Sequence, residues 1–462
     1  MPYDTRPHMI ISQNPATEEE IERFDGMSEQ DVEEALVKAH ALFPTFSSRK
    51  KLSERTERLT ALGELLRQNK DELAKLMTLE MGKPITQAKA EVEKSATCCD
   101  YYAKNAEAIL KDRVIESDNK SSYVRWLPIG PVLAVMPWNF PLWQVIRFAA
   151  PALAAGNVCL LKHASNVPKM ALRIEELCLE AGFPVGAFQT LLIGSSMVEG
   201  VIQDSRVKGV TLTGSEPAGR AVAERAGANL KPSVLELGGA DPFIIMPSAD
   251  LDAAVKMAVK ARTQNTGQSC IAAKRFIVHE KIHAAFLDKF IHALEKLKVD
   301  NPLFEDTDIG PLATKDIRDE LAEQVDSSVR AGADIAFQGK APEGPGHWYP
   351  PTVLIDIPED CPAAIEELFG PVASVFKVES LDEAIDLANS SRFGLGSAAW
   401  TKEKSEQAEF IDRLEAGFTA INGMTTSDPR LPFGGIKDSG YGRELSNLGM
   451  REFLNAKTIT VN

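Results

Sequence analysis

The sequence lacks an apolar run that could cross a bilayer, and it lacks an excess of positive charge. A spanning helix needs roughly 18 or more consecutive apolar residues, and no run of that length occurs in the chain. Lysine and arginine total 51 against 66 aspartate and glutamate, so the net charge is −15. Nucleic acids and anionic membranes bind basic faces, so we expect neither as a partner. The polar segment 1–17 also lacks the apolar core of a signal peptide.

Cysteine is scarce, and the common glycine fingerprint of dinucleotide-binding folds, G-x-G-x-x-G, is absent. Six cysteines in 462 residues form no regular disulfide framework, which favours the reducing cytoplasm. They are Cys98, Cys99, Cys159, Cys178, Cys270 and Cys361. A chain of this length is too long for one ordinary core, so two or three domains are expected.

The order of apolar patterns predicts an α/β protein. Residues 29–112 have the spacing of helices, and short apolar strands then alternate with amphipathic helices up to residue 237. This alternation is typical of a parallel sheet with helices on both faces. A second α/β unit follows from about residue 240 to 440, with a helix predicted near 251–267. The tail Lys457–Val461 predicts a strand whose partner lies elsewhere, including on another subunit.

One cysteine has a setting that suits a nucleophile. Cys270 ends the run Asn265-Thr266-Gly267-Gln268-Ser269-Cys270, which is rich in small residues. A thiolate attacks carbonyl carbons well if its pKa is lowered or a base takes its proton. We expect a helix after Cys270 whose N-terminal dipole stabilises the thiolate. A buried structural thiol is the alternative for any single cysteine.

Two further polar residues suit the same chemistry. Glu236 ends a predicted strand between apolar residues and precedes Gly238-Gly239. Partial burial there would raise its pKa towards that of a general base. Asn139 lies in Trp138-Asn139-Phe140-Pro141, and a side-chain amide can hold an oxyanion. A surface carboxylate and an asparagine in an ordinary turn are the alternatives.

Together these motifs resemble the aldehyde dehydrogenase superfamily. Cys270 follows Glu236 by 34 residues (270 − 236 = 34), as in that family. The runs E-L-F-G-P (367–371) and P-F-G-G-I-K-D-S-G (432–440) also match, and the similarity extends from about residue 10 to the C-terminus. Three stretches resemble bacterial and cyanobacterial succinate-semialdehyde dehydrogenases most: K-H-A-S-N-V-P (162–168), L-T-G-S-E-P-A-G (212–219) and S-D-P-R-L-P-F-G-G (427–435).

The resemblance implies an aldehyde dehydrogenase-like α/β fold in three parts. Residues 1–116 and 134–237 would form a Rossmann-type cofactor-binding domain, and residues 238–440 a catalytic α/β domain. Segments 117–133 and 441–462 would form a small β bridging unit between subunits. A homodimer or homotetramer is therefore expected.

The resemblance also implies a reaction. Cys270 would attack an aldehyde to form a thiohemiacetal, and a hydride would pass to nicotinamide. Glu236 would activate the water that cleaves the resulting thioester. Asn139, together with the Cys270 N–H, would form the oxyanion hole.

A cofactor site is implied by the same comparison. Its residues would be Trp138, Lys162, Ser165, Gly214, Ser215, Gly219, Leu237, Glu367 and Phe369. The segment 214–219 opens a predicted helix, whose N–H groups suit a pyrophosphate. NAD-preferring members commonly carry glutamate three residues after the lysine, where this chain has Ser165. Beside Lys162, a serine would accept a 2′-phosphate, so NADP is the preferred cofactor and NAD the alternative.

Substrate selection would depend on Arg147. Related semialdehyde dehydrogenases have an arginine at this position, whose planar fork grips the distal carboxylate. Ser427 would add a hydroxyl, and the tunnel walls would be Trp143 and Phe433. Some members carry a second arginine just before N-T-G-Q, where this chain has Gln264, so the grip should be weaker. Succinate semialdehyde is the predicted substrate, with glutarate semialdehyde or apolar aldehydes as alternatives.

Other classes of function are opposed by the sequence. A catalytically silent scaffold would not need Cys270, Glu236 and Asn139 together, and a cofactor-free acyltransferase or thioesterase would not need the nucleotide-site residues. The run H-E-K-I-H (279–283) matches a zinc-protease pattern. A strand is predicted up to His279 and a helix after it, so the two imidazoles would not share a helix face. We therefore expect no metal.

Overall fold

The structure is a computed structural model that describes residues 9–462. Residues 1–8 of the predicted cofactor-binding domain lie outside this range. Its strands are β1 (Met9–Gln13), β2 (Glu20–Asp25), β3 (Arg113–Val114), β4 (Ser121–Pro128), β5 (Pro131–Met136), β6 (Val158–His163), β7 (Phe188–Thr190), β8 (Gly209–Thr213), β9 (Ser233–Glu236), β10 (Pro242–Ile245), β11 (Arg275–His279), β12 (Asp334–Gln338), β13 (Thr352–Ile355), β14 (Val372–Val378), β15 (Phe393–Gly394), β16 (Gly396–Trp400), β17 (Phe418–Ile421), β18 (Ile436–Lys437), β19 (Gly440–Tyr441) and β20 (Leu454–Val461).

The helices cover the faces of these sheets. They are α1 (Glu29–Phe46), α2 (Leu52–Gln68), α3 (Lys70–Met81), α4 (Ile85–Ile109), α5 (Trp143–Ala155), α6 (Pro168–Glu180), α7 (Ser195–Gln203), α8 (Glu216–Ala228), α9 (Leu251–Thr263), α10 (Glu280–Leu294), α11 (Lys315–Ala331), α12 (Pro362–Ile365), α13 (Leu381–Asn389), α14 (Lys404–Arg413) and α15 (Ser446–Arg451). No helix within residues 9–462 has both the length and the apolarity to cross a membrane.

Local signals set the ends of the N-terminal helices. Ser28 and Asp31 form a reciprocal capping box at the start of α1, which satisfies two free N–H groups. Helix α3 ends at Gly82 with φ of 79°, a conformation that glycine adopts without strain. Pro84 precedes α4. The helices predicted in segment 29–112 are thereby confirmed.

The first large sheet has the order β19-β9-β8-β5-β6-β7. Strands β5 to β9 are parallel, and β19 is antiparallel to β9. Strand β5 lies between β6 and β8, so the chain leaves it in one direction and later returns on its other side. Ligands of open α/β sheets bind at the carboxyl end of such a switch point. The loops after β5, β8 and β9 meet at this edge.

The second large sheet has the order β12-β13-β14-β11-β10-β16-β17. Only its edge strand β12 is antiparallel to its neighbour. Helices α9 and α10 cover one face with an aromatic core that includes Phe243, Phe276 and Phe290, and α13 and α14 cover the other. The central strand β10 is almost wholly apolar because both of its faces are covered.

A third, antiparallel sheet joins the chain's tail to an earlier hairpin. Its order is β20-β4-β3, and β20 pairs with β4 from Leu454↔Pro128 to Val461↔Ser121. The predicted tail strand is therefore confirmed, and its partner lies in the same chain. Strand β5 crosses the predicted domain boundary between residues 133 and 134, so that boundary divides a strand of the first sheet.

Candidate active site

The loop before Cys270 has an unusual backbone. Helix α9 ends at Thr263, short of the predicted residue 267, and a single 3₁₀ turn follows. Asn265, Thr266 and Gly267 have φ values of 52°, 57° and 76°. This conformation is costly for Asn265 and Thr266, which have a Cβ, and it persists only where the surroundings fix it. The α9 pattern cannot continue through them, which explains the early end of the helix.

Side-chain and backbone contacts hold this loop in place. Asn265 Nδ2 donates to the carbonyls of Asn139 at 2.7 Å and Gln268 at 2.9 Å. A Cβ on Gly267 would lie 2.8 Å from the nitrogen of Pro371 and closer still to the preceding carbonyl. The loop is thus packed between the turn after β5 and the run E-L-F-G-P. Only glycine fits at position 267.

The expected helix after Cys270 is absent. A turn follows instead and leads into β11 at Arg275, because the chain must re-enter the second sheet there. The prediction of a helix dipole at this thiol was therefore wrong. Burial raises the pKa of Cys270 to about 12, while the positive charges of Arg147 and Lys274 act in the opposite direction. The thiol is protonated at neutral pH and needs a base.

A buried lysine that the sequence did not single out supports the nucleophile. Lys274 Nζ donates to the carbonyls of Ser269 and Cys270, both at 2.8 Å. It also forms an ion pair with Glu367 at 2.9 Å. Lys274 lies four residues after Cys270, but only the turn between them directs its ammonium back towards the loop. It therefore fixes the backbone around Cys270 and orients Glu367.

Glu236 ends β9 and is buried, with 2% of the residue exposed. Both of its carboxylate oxygens lack a hydrogen-bond partner within the described residues. Burial raises the pKa of Glu236 well above its usual value, and the nearby Glu444 raises it further, while Arg147 opposes both effects. A raised pKa makes the carboxylate form a stronger base, which suits a general base.

Asn139 follows β5 and is buried beside the nucleophile loop. Its Nδ2 donates to the Gln268 carbonyl at 3.2 Å, two residues before Cys270, and its Oδ1 accepts from the Phe140 N–H at 3.2 Å. The amide therefore faces the loop that carries the thiol. Its role in holding an oxyanion stays a prediction.

A cleft of about 550 Å³ connects the edge of the first sheet to Cys270. Predicted residues that line it are Trp138, Asn139, Gly214, Ser215, Glu236, Leu237, Cys270, Glu367 and Phe369. Trp138 and Phe369 meet edge to face with ring centres 5.8 Å apart. Ser215 precedes α8 without a side-chain cap, so N–H groups of its first turn remain available to a phosphate. The cleft thus fits a dinucleotide.

Three residues predicted for the cofactor lie outside this lining. Lys162 is paired in register with Val135 near the carboxyl end of the sheet, and Ser165 is exposed in the turn that follows β6. Both are at the same sheet edge, farther from Cys270. A Cβ on Gly219 would lie 2.5 Å from the Leu237 side chain. Gly219 therefore allows α8 to approach β9 closely, and direct contact with a cofactor stays a prediction for all three.

A second cavity, of about 80 Å³, lies on the other side of Cys270. All four predicted substrate residues, Arg147, Trp143, Ser427 and Phe433, line it. This volume is small beside the roughly 300–1,000 Å³ of pockets that hold drug-sized ligands. The arrangement therefore suits a short substrate that reaches the thiol from this side.

Arg147 has partners that sequence reasoning missed. It is buried and forms an ion pair with Glu444, and its Nη2 donates to Thr213 at 3.2 Å. Its guanidinium lies 4.7 Å from the centre of the Phe433 ring. Glu444 is almost 300 positions away in sequence, and no local pattern marks it as a partner. The ion pair and the hydrogen bond thus orient the arginine at the cavity.

Helix α4 fixes the start of α5, where the substrate residues begin. Glu91 accepts hydrogen bonds from the N–H groups of Leu142 and Trp143, at 3.0 Å and 2.9 Å, and forms a buried ion pair with Lys83. A carboxylate at a helix N-terminus satisfies free N–H groups and the helix dipole. Glu91 therefore positions the wall of the small cavity. The sequence offered no signal for it beyond its place in a helix.

The strand-to-helix boundary at the H-E-x-x-H match falls where predicted. His279 ends β11, and Glu280 begins α10. The Nδ1 of His279 accepts from the Lys281 N–H at 3.2 Å as a helix cap, so this imidazole belongs to the cap and not to the helix face that carries His283.

Comparisons with known proteins agree with this geometry. The model of the aldehyde dehydrogenase family matches residues 3–459. A succinate-semialdehyde dehydrogenase (NADP+) of Mycolicibacterium paratuberculosis is 54% identical over 98% of this chain and 96% of its own. One of Mycobacterium ulcerans is 54% identical over 98% and 99%. The crystal structure of a succinic semialdehyde dehydrogenase from Streptococcus pyogenes with NADP+ has 39% identity and a TM-score of 0.96 over 98% of this chain and 99% of its own. The chain has the α/β aldehyde dehydrogenase fold and belongs to the aldehyde dehydrogenase family.

Proposed function

We propose that this chain oxidises succinate semialdehyde to succinate with NADP+ as the preferred cofactor. The observation that carries the proposal is the position of Cys270 between two cavities. The large cleft on one side fits a dinucleotide, and the small one on the other is lined by Arg147 and Ser427. The relatives named for this reaction support the same substrate and cofactor.

The first chemical step forms a bond between Cys270 Sγ and the aldehyde carbon. The thiol is protonated at neutral pH, so its proton must pass to a base as the bond forms. In this proposal the acceptor is solvent in the large cleft that Cys270 lines, and Glu236 acts only in the later hydrolysis. The Asn139 amide and the Cys270 N–H would stabilise the developing oxyanion, and the loss of one such donor typically costs about 3–4 kcal/mol.

Bound NADP+ supplies the acceptor for the hydride that leaves the aldehyde carbon. The residues that would hold it are Trp138, Glu367 and Phe369 around the nicotinamide half and the start of α8 at the pyrophosphate. The acyl group then remains on Cys270 as a thioester. Lys274 keeps Glu367 and the Cys270 backbone in one arrangement through these steps.

Hydrolysis completes the reaction. Glu236 takes a proton from water as the water oxygen bonds to the thioester carbonyl carbon. The C–S bond breaks, the electron pair returns to Cys270 Sγ, and the product leaves as succinate. The proton that Glu236 holds then passes to solvent, which restores the base.

Preference for NADP+ is proposed from the edge of the first sheet. Ser165 is exposed there, and Lys162 lies three residues earlier near the end of β6. A carboxylate at position 165 would repel a 2′-phosphate, whereas a serine beside an ammonium would accept one.

The test is the formation of reduced cofactor, followed by absorbance. Wild type and Cys270→Ala would be compared with succinate semialdehyde, glutarate semialdehyde and butanal, each with NADP+ and NAD+. We expect the highest kcat/KM with succinate semialdehyde and NADP+ and no turnover in the variant. Equal kcat/KM for butanal would support the broader aldehyde dehydrogenase instead. Turnover by Cys270→Ala would refute the mechanism.

We also propose a homodimer or homotetramer in the cytoplasm. Strand β20 has eight residues and a free edge in the three-stranded sheet, and such an edge commonly pairs with another chain. All six cysteines are unpaired, in keeping with a reducing compartment. Sedimentation would test the assembly, because a monomer at micromolar concentration would refute it, and fractionation of the source cells would test the location.

A further inference from the structure

The small cavity beside Cys270 contains a second cationic side chain, Lys94 of α4. Its Nζ lies 2.6 Å from Ser427 Oγ and 4.3 Å from the centre of the Trp143 ring. Lys94 lines the same cavity as both of these residues and Cys270. The ammonium therefore lies beside Ser427, whose hydroxyl is predicted to bind the substrate carboxylate.

The two cations of the cavity, Arg147 and Lys94, differ in whether a carboxylate contacts them. Arg147 forms an ion pair with Glu444, and both residues are buried. Lys94 has no carboxylate at ion-pairing distance within residues 9–462. Its hydrogen-bond partner, Ser427, is neutral. Lys94 is therefore the cavity cation without a carboxylate in direct contact among the described residues, and the charges of Glu91 and Asp428 act on it from farther away.

The surroundings of Lys94 also disfavour its charged form. Burial, and after it the charge of Arg147, lowers the pKa of Lys94 to about 8, while Glu91, Cys98 and Asp428 act in the opposite direction. A carboxylate bound beside it would stabilise its charged form. An anion that binds in this cavity would therefore be stabilised by the Lys94 ammonium.

From this geometry we infer that Lys94 is a specificity-determining residue that binds the distal carboxylate of the aldehyde substrate. The inference rests on the proposed function and extends it. Gln264, at the position where some family members carry a second arginine, lines the same cavity without a charge. Lys94 reaches the cavity from a different helix and supplies the missing cation, with Ser427 as the neutral ligand beside it. Arg147 then acts as an oriented donor that is already in contact with the Glu444 carboxylate.

The test compares kcat/KM for succinate semialdehyde with that for butanal, which has the same carbon number and no carboxylate. Lys94→Met should lower the ratio of the two values by about 30-fold, because it removes a hydrogen bond between two charged groups, which is stronger than one between neutral groups. Lys94→Arg should retain most of the ratio. Lys104→Met is the matched control, because Lys104 is an exposed residue of the same helix.

The outcomes separate this inference from the function on which it rests. If wild type does not prefer succinate semialdehyde over butanal, the proposed function fails first. If wild type has that preference and Lys94→Met keeps it, only the inference about Lys94 is overturned. The ratio measured against pH gives a second readout. It should fall in wild type above about pH 8 as Lys94 loses its proton, and it should be flat in Lys94→Met. A wild-type ratio that stays constant through that range would also overturn the inference.

Discussion

Replacement of Glu236 by glutamine isolates the hydrolytic half of the reaction. The carboxylate is buried, and neither oxygen has a hydrogen-bond partner within the described residues. Glutamine has the same shape, and it breaks no hydrogen bond of this carboxylate. Burial already favours the neutral carboxyl group, so a neutral amide removes a desolvation penalty. The thermal unfolding temperature of Glu236→Gln should therefore equal or exceed that of wild type.

The effect on turnover should be large. A positioned general base contributes about 100- to 10,000-fold. Each factor of ten is about 1.36 kcal/mol, so the barrier to thioester hydrolysis should rise by about 3–5.5 kcal/mol in Glu236→Gln. If Cys270 can still form its thioester, the first turnover will remain faster than the later ones. Glu236→Asp keeps a carboxylate on a shorter side chain. Its rate of turnover should lie between those of wild type and Glu236→Gln.

The assay is rapid mixing of enzyme with succinate semialdehyde and NADP+, with the reduced cofactor followed by absorbance. Glu236→Gln should give a burst of about one reduced cofactor per active Cys270, followed by a steady rate about 100-fold or more below wild type. Mass spectrometry of the quenched enzyme should find an acyl group on Cys270. A slow first turnover without a burst would show that Glu236 acts before hydride transfer, and the assignment to hydrolysis alone would be refuted.

Three further predictions follow from the site. Ser165→Glu, with Lys162 intact, should lower kcat/KM with NADP+ relative to NAD+ by about 10-fold or more through repulsion of the 2′-phosphate; an unchanged ratio would contradict the cofactor proposal. Gly267→Ala should lower both the unfolding temperature and the activity, because a left-handed alanine costs about 1–2 kcal/mol and its Cβ would clash with Gly370; a fully active, equally stable variant would show that the loop can relax. The raised pKa of Cys270 predicts that inactivation by iodoacetamide accelerates about tenfold per pH unit between about pH 7 and pH 9, because only the thiolate reacts; a plateau in that range would place the thiol pKa below 9.

Much of this architecture was predictable because it is local. Apolar periodicity predicted that segment 29–112 is helical, and α1 to α4 occupy it. The tail strand was also predicted, although its partner β4 was not. The helix expected after Cys270 was wrong, since the return of the chain to β11 decides the conformation there and no local signal records that constraint.

The sequence by itself determined which chemical groups are available: the spacing of Glu236 and Cys270, the glycine at position 267 and the absence of a second arginine at position 264. The tertiary structure decided which groups meet. Lys94 reaches Ser427 across 333 positions of chain, and Arg147 meets Glu444 inside the core. A charge acts over a few ångströms in space, whatever the separation along the chain, and so only the folded protein distinguishes an arginine in contact with a carboxylate from a lysine with none at ion-pairing distance.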